Sequence, residues 1–247
     1  MLSVQNLCVS VDGKSIIKNC SLNLEPGKTH VLMGPNGSGK SSLVYTLMGH
    51  PSYQVDQGTI LFEGENIVDM PAHHRSLQGM YLSMQQPSTI AGLQVIVLLE
   101  ELYKIHGNKD ASHEEFLREV QALLPVVGLS EAMLYRAVND NFSGGERKRF
   151  EILQMMLLKP KLALLDEIDS GVDIDGLTLI ASALEQYQKE NPQSSIIIVT
   201  HYRRILKHLK PDMVHVMMNG ELVRQGDASL IDQIEHKGYE QYAKRTE

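Results

Sequence analysis

The chain has 247 residues, of which 43% are hydrophobic and 21% charged, an ordinary composition for a globular protein with a sizeable core. Its formal net charge of -7 argues against nucleic acid or an anionic membrane as the main partner. No run approaches the roughly 18 apolar residues of a membrane-spanning helix, so no direct membrane insertion is expected. The N-terminus lacks the basic region of a signal peptide, and Cys8 and Cys20 fall in strand-like segments. We therefore expect a reduced, cytoplasmic protein.

Residues 1–30 show the alternation of apolar and polar side chains that predicts an antiparallel β layer. The first strand is expected over Leu2–Val11 and turns at Asp12-Gly13, a common hairpin pair. Further strands of this layer are expected at 15–17, 21–24, 59–62 and 67–68. A short apolar run at 30–33 then leads into a glycine-rich loop.

That loop, Gly-Pro-Asn-Gly-Ser-Gly-Lys-Ser at 34–41, matches the phosphate-binding pattern GxxxxGK[S/T] in full. It lies between the apolar run and a helix-like run at 42–48, which is the strand, loop and helix context that the pattern requires. Its backbone N–H groups can surround phosphates, with Lys40 on the β and γ phosphates and the Ser41 hydroxyl on Mg²⁺. The predicted nucleotide-binding residues are Gly34, Pro35, Asn36, Gly37, Ser38, Gly39, Lys40, Ser41 and Ser42.

Residues 88–160 change to helical periodicity. Apolar residues recur at helical spacing from Val95 to His106, and Ser112 with Glu115 forms a capping-box pattern that opens a second helix. We expect a helical subdomain at 88–160, inserted into an α/β nucleotide-binding core that comprises 1–87 and 161–247.

Two carboxylates, Asp166 and Glu167, follow an all-apolar run at 162–165 that predicts a buried strand of a parallel sheet. A similar run at 195–199 follows a predicted helix at 177–189. Beside a phosphate-binding loop, Asp166 is expected to hold Mg²⁺ next to Ser41, and Glu167 to orient or deprotonate the attacking water. The chain is expected to close with strands at 213–218 and 221–224 and a polar helix from about residue 229.

A second candidate anion site, Asn-Phe-Ser-Gly-Gly-Glu at 141–146, precedes another helical run and offers free N–H groups. It resembles the LSGGQ signature of ATP-binding cassette (ABC) ATPases, with Phe142 in the leucine position and Glu146 in the glutamine position. The resemblance implies that Ser143, Gly144 and Gly145 contact the nucleotide held by another subunit, in a transient, ATP-dependent head-to-tail homodimer.

The remaining elements of that family occur in order along the chain. Gln85 resembles the Q-loop glutamine, which would help to hold Mg²⁺, and His201 the switch histidine beside the γ phosphate. Asp173 falls in the stretch that resembles the D-loop. The resemblance thus implies ATP and Mg²⁺ as cofactors and Glu167, His201 and Gln85 as catalytic residues. It implies an α/β P-loop NTPase fold with a mixed sheet core, an N-terminal antiparallel β layer and an inserted helical subdomain.

Several stretches are similar to one branch, the SufC ATPases of SUF iron–sulfur cluster assembly. Transporter subunits commonly read DEPTSALD where this chain has 166–173, and this chain instead carries Asp-Ser-Gly-x-Asp-Ile-Asp at 169–175. The other stretches that carry this resemblance are 33–40, 141–149, 200–206, 210–216 and 226–230. It implies SufB- and SufD-type scaffold proteins as partners, which the ATPase would rearrange. The chain has no cysteine cluster and is expected to carry no iron–sulfur cluster itself.

The chain differs from the family pattern at two positions, and two alternative functions remain to be considered. Val11 stands where many relatives have an aromatic residue on adenine, and Gly171 replaces a small alanine in the D-loop. The alternatives are the ATP-binding subunit of a membrane ABC transporter, or a nucleotide sensor that does not hydrolyse ATP. The branch-specific stretches disfavour the first, and the set of Asp166, Glu167 and His201 disfavours the second.

Overall fold

The structure, a computed structural model, describes residues 1–107, 109–200, 205–207 and 209–242. In chain order its strands are β1 (Leu2–Val11), β2 (Lys14–Leu24), β3 (Thr29–Met33), β4 (Gln54–Phe62), β5 (Glu65–Asn66), β6 (Met80–Ser83), β7 (Ile90–Gln94), β8 (Ala137–Val138), β9 (Leu162–Asp166), β10 (Ser195–Val199), β11 (Met213–Met218) and β12 (Glu221–Gly226). Its α-helices are α1 (Lys40–Met48), α2 (Ala72–Leu77), α3 (Val95–Ile105), α4 (His113–Leu123), α5 (Gly144–Leu158), α6 (Ile174–Glu190) and α7 (Ser229–Lys237). Short 3₁₀ turns occur at Glu131–Tyr135, Ile205–Lys207 and Glu240–Tyr242.

The N-terminal layer is the predicted antiparallel sheet, in the order β2-β1-β4-β5. Two expectations for it are wrong. The segments 15–17 and 21–24 belong to the single strand β2, because the chain bulges at Asn19, whose φ of 48° interrupts the alternation without ending the strand. Residues 67–68 lie beyond the last strand of the layer, β5, although the N–H of Ile67 still donates to the Ile60 carbonyl at 2.9 Å.

The central sheet has the order β12-β11-β3-β10-β9-β6. Its strands β11, β3, β10, β9 and β6 run parallel, and β12 pairs antiparallel with β11 at one edge. It is therefore the expected mixed sheet. The segments β3, β9 and β10 are buried along their whole length, as their all-apolar or nearly all-apolar sequences require.

Alternate side chains of the central sheet enter two hydrophobic cores. Leu32, Leu164 and Ile197 face α1 and the N-terminal β layer. Val31 and Ile198 face the other side, together with residues of α5 and α6. Helix α1 is thus packed between two sheets, and the carboxyl ends of β3, β6 and β9 meet at its start. This convergence positions the site described below.

The region at 88–160 is helical, as expected, and also contains an antiparallel pair, β7 with β8. The capping box predicted at Ser112 is present, because Ser112 Oγ accepts from the Glu115 N–H and the Glu115 carboxylate accepts from the Ser112 N–H. Helix α5 shares its hydrophobic core with β9 and α6. The division of the chain into 1–87 with 161–247 and a subdomain at 88–160 stays a prediction. No helix within the described ranges is both long and apolar enough to cross a membrane.

Candidate nucleotide site

The glycine-rich loop connects β3 to α1, as the motif predicts. Gly34 has a φ of 154°, and a Cβ atom there would lie 2.1 Å from the carbonyl oxygen of Met217. No side chain fits at such a distance, so the first glycine of the motif is required by the close approach of β11. Gly39 ends the loop with a φ of 103°, and the helix begins at Lys40.

The Lys40 ammonium lies inside this loop, with the residue only 5% exposed. Its Nζ donates to the carbonyl oxygens of Gly34 at 2.8 Å and Pro35 at 3.0 Å. Burial lowers the pKa of Lys40, while the nearby carboxylates of Glu167 and Asp166 act to raise it. The loop therefore carries a buried positive charge at the place where the motif predicts phosphates.

Ser41 and Asp166 meet at the start of α1, where Ser41 Oγ donates to Asp166 Oδ1 at 3.1 Å. Asp166 is 0% exposed, and its Oδ2 makes no hydrogen bond to any described residue. Burial raises the pKa of this carboxyl group to about 6, and the charge of Glu167 adds to the effect, whereas the bond from Ser41 opposes it. A buried carboxylate with an unpaired oxygen beside a hydroxyl fits the oxygen ligands that Mg²⁺ prefers.

Glu167 follows β9 in a left-handed conformation, with a φ of 50°. Its backbone N–H donates to the Val199 carbonyl at 3.0 Å, and its side chain accepts a 2.5 Å hydrogen bond from Gln85 Nε2. Both side chains line a cavity of 300 Å³ together with residues 36–42. The structure thus brings together the loop, Ser41, Gln85, Asp166 and Glu167, all of which were predicted from separate parts of the sequence.

The signature-like stretch is placed elsewhere. Ser143 is the N-cap of α5, and its hydroxyl accepts from the Glu146 N–H at 3.1 Å while the Glu146 carboxylate accepts from the Ser143 N–H at 2.8 Å. Ser143 and Gly144 are exposed, and the residues found to line the loop's cavity do not include 143–145. The contact of Ser143, Gly144 and Gly145 with a nucleotide on another subunit stays a prediction.

Two further predicted residues have different outcomes. Asp173 caps α6, since its Oδ1 accepts from the Gly176 N–H at 2.8 Å, and the helix begins at Ile174 rather than at the expected 177. Its role at a nucleotide stays a prediction. His201 lies outside the described residues.

Sequence reasoning missed Lys148 and Glu151, which contact the backbone next to Gln85. One sequence signal could have indicated these two residues. They are the charged members of a face of α5 whose other buried side chains are apolar.

Replacement of Asp166 by asparagine is expected to weaken Mg²⁺ affinity by at least roughly 10–100-fold, since loss of a residue that only supports a metal ligand already costs that much. ATP binding without Mg²⁺ should persist, because the loop and Lys40 are unchanged. Calorimetric titration of ATP with and without Mg²⁺ measures both quantities. A neutral amide is less costly to bury than a carboxylate, so the melting temperature of the variant should not fall. An Mg²⁺ dependence equal to that of the wild type would contradict the assignment.

Known proteins resemble this chain in sequence. The family model described as ABC transporter matches residues 17–170. A probable ABC transporter ATP-binding protein of Streptococcus pyogenes serotype M18 is 42% identical, over 97% of this chain and 93% of the relative. The probable ATP-dependent transporter ycf16 of Cyanophora paradoxa is 44% identical, with the same coverage. Vegetative protein 296 of Bacillus subtilis is 39% identical, over 97% of this chain and 92% of its own length.

Solved structures share the fold. The ATP-binding subunit of an ABC transporter superimposes with a TM-score of 0.83 at 21% identity, over 99% of this chain and 100% of that one. The cassette MJ0796, described as a dimer bound to ADP and Pi, gives a TM-score of 0.79 at 20% identity, over 92% and 98%. These matches confirm the predicted α/β cassette with its mixed sheet, antiparallel N-terminal layer and helical insertion. The chain belongs to the ABC transporter family of ATP-binding proteins, and it is an ATPase that binds ATP with Mg²⁺.

Proposed function

We propose that this ATPase is the cytoplasmic motor subunit of a SUF-type iron–sulfur cluster assembly complex, where it rearranges SufB- and SufD-type scaffold proteins. The observation that carries the proposal is the stretch Asp-Ser-Gly-x-Asp-Ile-Asp at 169–175, which replaces the sequence common in transporter subunits. The stretch begins at Asp169, which is buried. The Asp169 carboxylate accepts a 2.7 Å hydrogen bond from Thr200 Oγ1. Thr200 opens another branch-specific stretch, so two of these stretches are in direct contact.

The stretch at 210–216, another of the branch-specific stretches, makes specific contacts in the central sheet. Asp212 accepts from the backbone N–H of Thr29 at 2.8 Å and from Lys28 Nζ at 3.0 Å, which fastens the start of β11 to β3. His215 stacks on His30, with 3.0 Å between their ring nitrogens, and burial lowers the pKa of both imidazoles to about 4. Residues of this stretch therefore have specific partners in the central sheet, so a change in the stretch would require matching changes in β3.

In the proposed mechanism two copies of the chain close head to tail around ATP. Lys40 and the loop main chain hold the phosphates, and Ser143 and Gly145 of the other copy complete their enclosure. Mg²⁺, held by Ser41, Asp166 and Gln85, would neutralise charge on the phosphates. The exposure of Ser143 outside the loop's own cavity supports this division of the site between two chains.

Within each site Glu167 orients the attacking water and accepts its proton, and His201 stabilises charge that develops on the γ phosphate. Loss of the bridging γ phosphate removes the contacts that hold the two chains together, so the dimer opens. Scaffold proteins bound near Gln85 and the helical subdomain would be moved by this cycle of closing and opening.

The second candidate is the ATP-binding subunit of a membrane ABC transporter. The names of relatives from Streptococcus pyogenes and Cyanophora paradoxa favour it, since they describe a probable ABC transporter ATP-binding protein and a probable ATP-dependent transporter. The nucleotide chemistry would be identical, and only the protein moved by the motor would differ.

Purification of the tagged chain from both the soluble and the detergent-extracted fractions of its native cells separates the two candidates. We expect SufB- and SufD-type proteins to co-elute from the soluble fraction and to raise the ATPase rate when they are added back to the purified chain. Co-elution of a membrane permease from the detergent fraction, without such scaffold proteins, would contradict the proposal and support the transporter candidate.

A further inference from the structure

A buried ion pair lies on α5 beside the end of β6. Lys148 Nζ and Glu151 Oε2 are 3.2 Å apart, and the two side chains are only 4% and 5% exposed. Burial raises the pKa of Glu151, while Lys148 and the hydrogen bonds from Ser83 and Met84 act to lower it. Lysine and glutamate are almost never fully buried unless they are paired, and such a pair is costly to keep. The contacts of the pair with its neighbours explain why it is buried there.

Both members of the pair hold the backbone of one residue, Met84. Glu151 Oε1 accepts from the Met84 N–H at 2.8 Å, and Lys148 Nζ donates to the Met84 carbonyl at 2.7 Å. Glu151 Oε2 also accepts from Ser83 Oγ at 2.9 Å. Met84 lies just beyond β6, so these side chains hold its two main-chain polar groups where the strand has ended.

Gln85 is the next residue, and its amide donates to the carboxylate of Glu167. The placement of a side chain is set by the main chain from which it extends, so the hold on Met84 fixes how far Gln85 reaches into the ATP site. Lys148 and Glu151 themselves are not among the residues found to line that cavity. Their hydrogen bonds reach that site through the residue that they hold, and the charge of Lys148 in addition acts to lower the pKa of Asp166.

We propose that Lys148 and Glu151 are positioning residues for ATP hydrolysis, which hold the backbone of Met84 so that Gln85 meets Glu167. The same contacts connect Met84 and Gln85, which follow β6, to α5, the helix that begins after Ser143. A displacement of α5 at its signature end is thereby transmitted to Gln85. This inference rests on the ATPase activity and not on the identity of the scaffold partners, so it survives if the SUF assignment fails.

The test is a double-mutant cycle between Glu151 and Gln85. We expect Glu151→Ala to lower kcat by roughly 10–100-fold, as is typical when a supporting contact of a site is lost. The KM for ATP should change little, because the loop that holds the phosphates is untouched. If Glu151 acts through Gln85, then Gln85→Ala combined with Glu151→Ala is about as slow as Gln85→Ala alone. Effects that multiply in the double variant would overturn the proposal.

A matched control is available in Glu119, whose carboxylate also accepts from a hydroxyl group, that of Tyr103, and pairs with Lys159, the residue that follows α5. Glu119→Gln should leave kcat unchanged. Glu151→Gln should lower kcat, because the neutral amide removes the negative charge that keeps Lys148 on the Met84 carbonyl. If thermal unfolding shows that Glu151→Ala does not fold, the cycle is run with Glu151→Gln, which has nearly the same shape and disturbs only the Lys148 arm of the hold on Met84. Equal losses of kcat in Glu119→Gln and Glu151→Gln would overturn the proposal.

Discussion

Replacement of Glu167 by glutamine is expected to lower ATP turnover by about 10²–10⁴-fold, the contribution usual for a general base. Glutamine has nearly the same shape as glutamate but cannot accept the proton of the attacking water. ATP binding should be preserved, because Lys40, Ser41 and the loop main chain carry the phosphates and Mg²⁺. Phosphate release at saturating ATP measures turnover, and calorimetry with ATP and Mg²⁺ measures binding.

The matched control is Glu185→Gln, the same chemical change at an exposed position of α6. This variant should hydrolyse ATP at the wild-type rate. Wild-type turnover in Glu167→Gln would remove Glu167 from the chemistry. A loss of binding equal to the loss of turnover would instead assign it to holding the nucleotide.

Replacement of Arg75 by methionine is expected to reduce the free energy of unfolding by about 3–5 kcal/mol, the cost of leaving several buried polar groups without partners. Arg75 lies on α2 and is 2% exposed. Its guanidinium donates to the carbonyl oxygens of Thr46, Leu47, Val68 and Met70 at 2.7 to 2.9 Å. Methionine fills much of the same space but donates no hydrogen bonds.

Two of these carbonyl groups belong to the last turn of α1, the helix that begins at Lys40. The change should therefore lower the melting temperature by roughly 10 °C for a chain of this size. Arg118→Met on α4 is the control, because Arg118 is exposed, and it should change stability by less than about 0.5 kcal/mol. Denaturant unfolding of both variants gives the comparison. Equal stabilities would show that the buried guanidinium contributes nothing that methionine cannot replace.

The core of the ATP site could be predicted from sequence because its signals are local. The loop at 34–41 has a spacing that a strand, a tight turn and a helix start require, and Asp166 with Glu167 ends an unmistakably buried strand. The loop and the two carboxylates were expected to lie close together, because the carboxyl ends of parallel strands share one edge of the sheet.

Other features depend on contacts between distant segments, and these were missed. Nothing near Arg75 indicates that its guanidinium reaches back to the carbonyl groups of α1, 28 and 29 residues earlier. Likewise the partner of Glu151 at Met84 lies 67 residues away. The sequence predicts two strands where the structure has the single strand β2. The bulge at Asn19 interrupts the alternation of apolar and polar side chains from which strands are predicted.

One missed feature was readable. Ser143 and Glu146 have the same spacing as Ser112 and Glu115, and both pairs form capping boxes. The resemblance to the ABC signature implies nucleotide contacts for this stretch, and Glu146 has the capping role in addition. The two roles are compatible, because the Ser143 hydroxyl accepts from Glu146 and keeps its own proton for donation.

Complementation between two inactive variants tests the proposal that each ATP site is built from two chains. Lys40→Ala damages the phosphate-binding loop, and Ser143→Arg blocks the signature, so each variant alone should be inactive. Mixed in equal amounts with Mg²⁺-ATP and the scaffold partners, they should recover about a quarter of the wild-type rate, because random head-to-tail pairing restores one intact site in half of the dimers. A mixture no more active than its two components would contradict a shared site and place catalysis within a single chain.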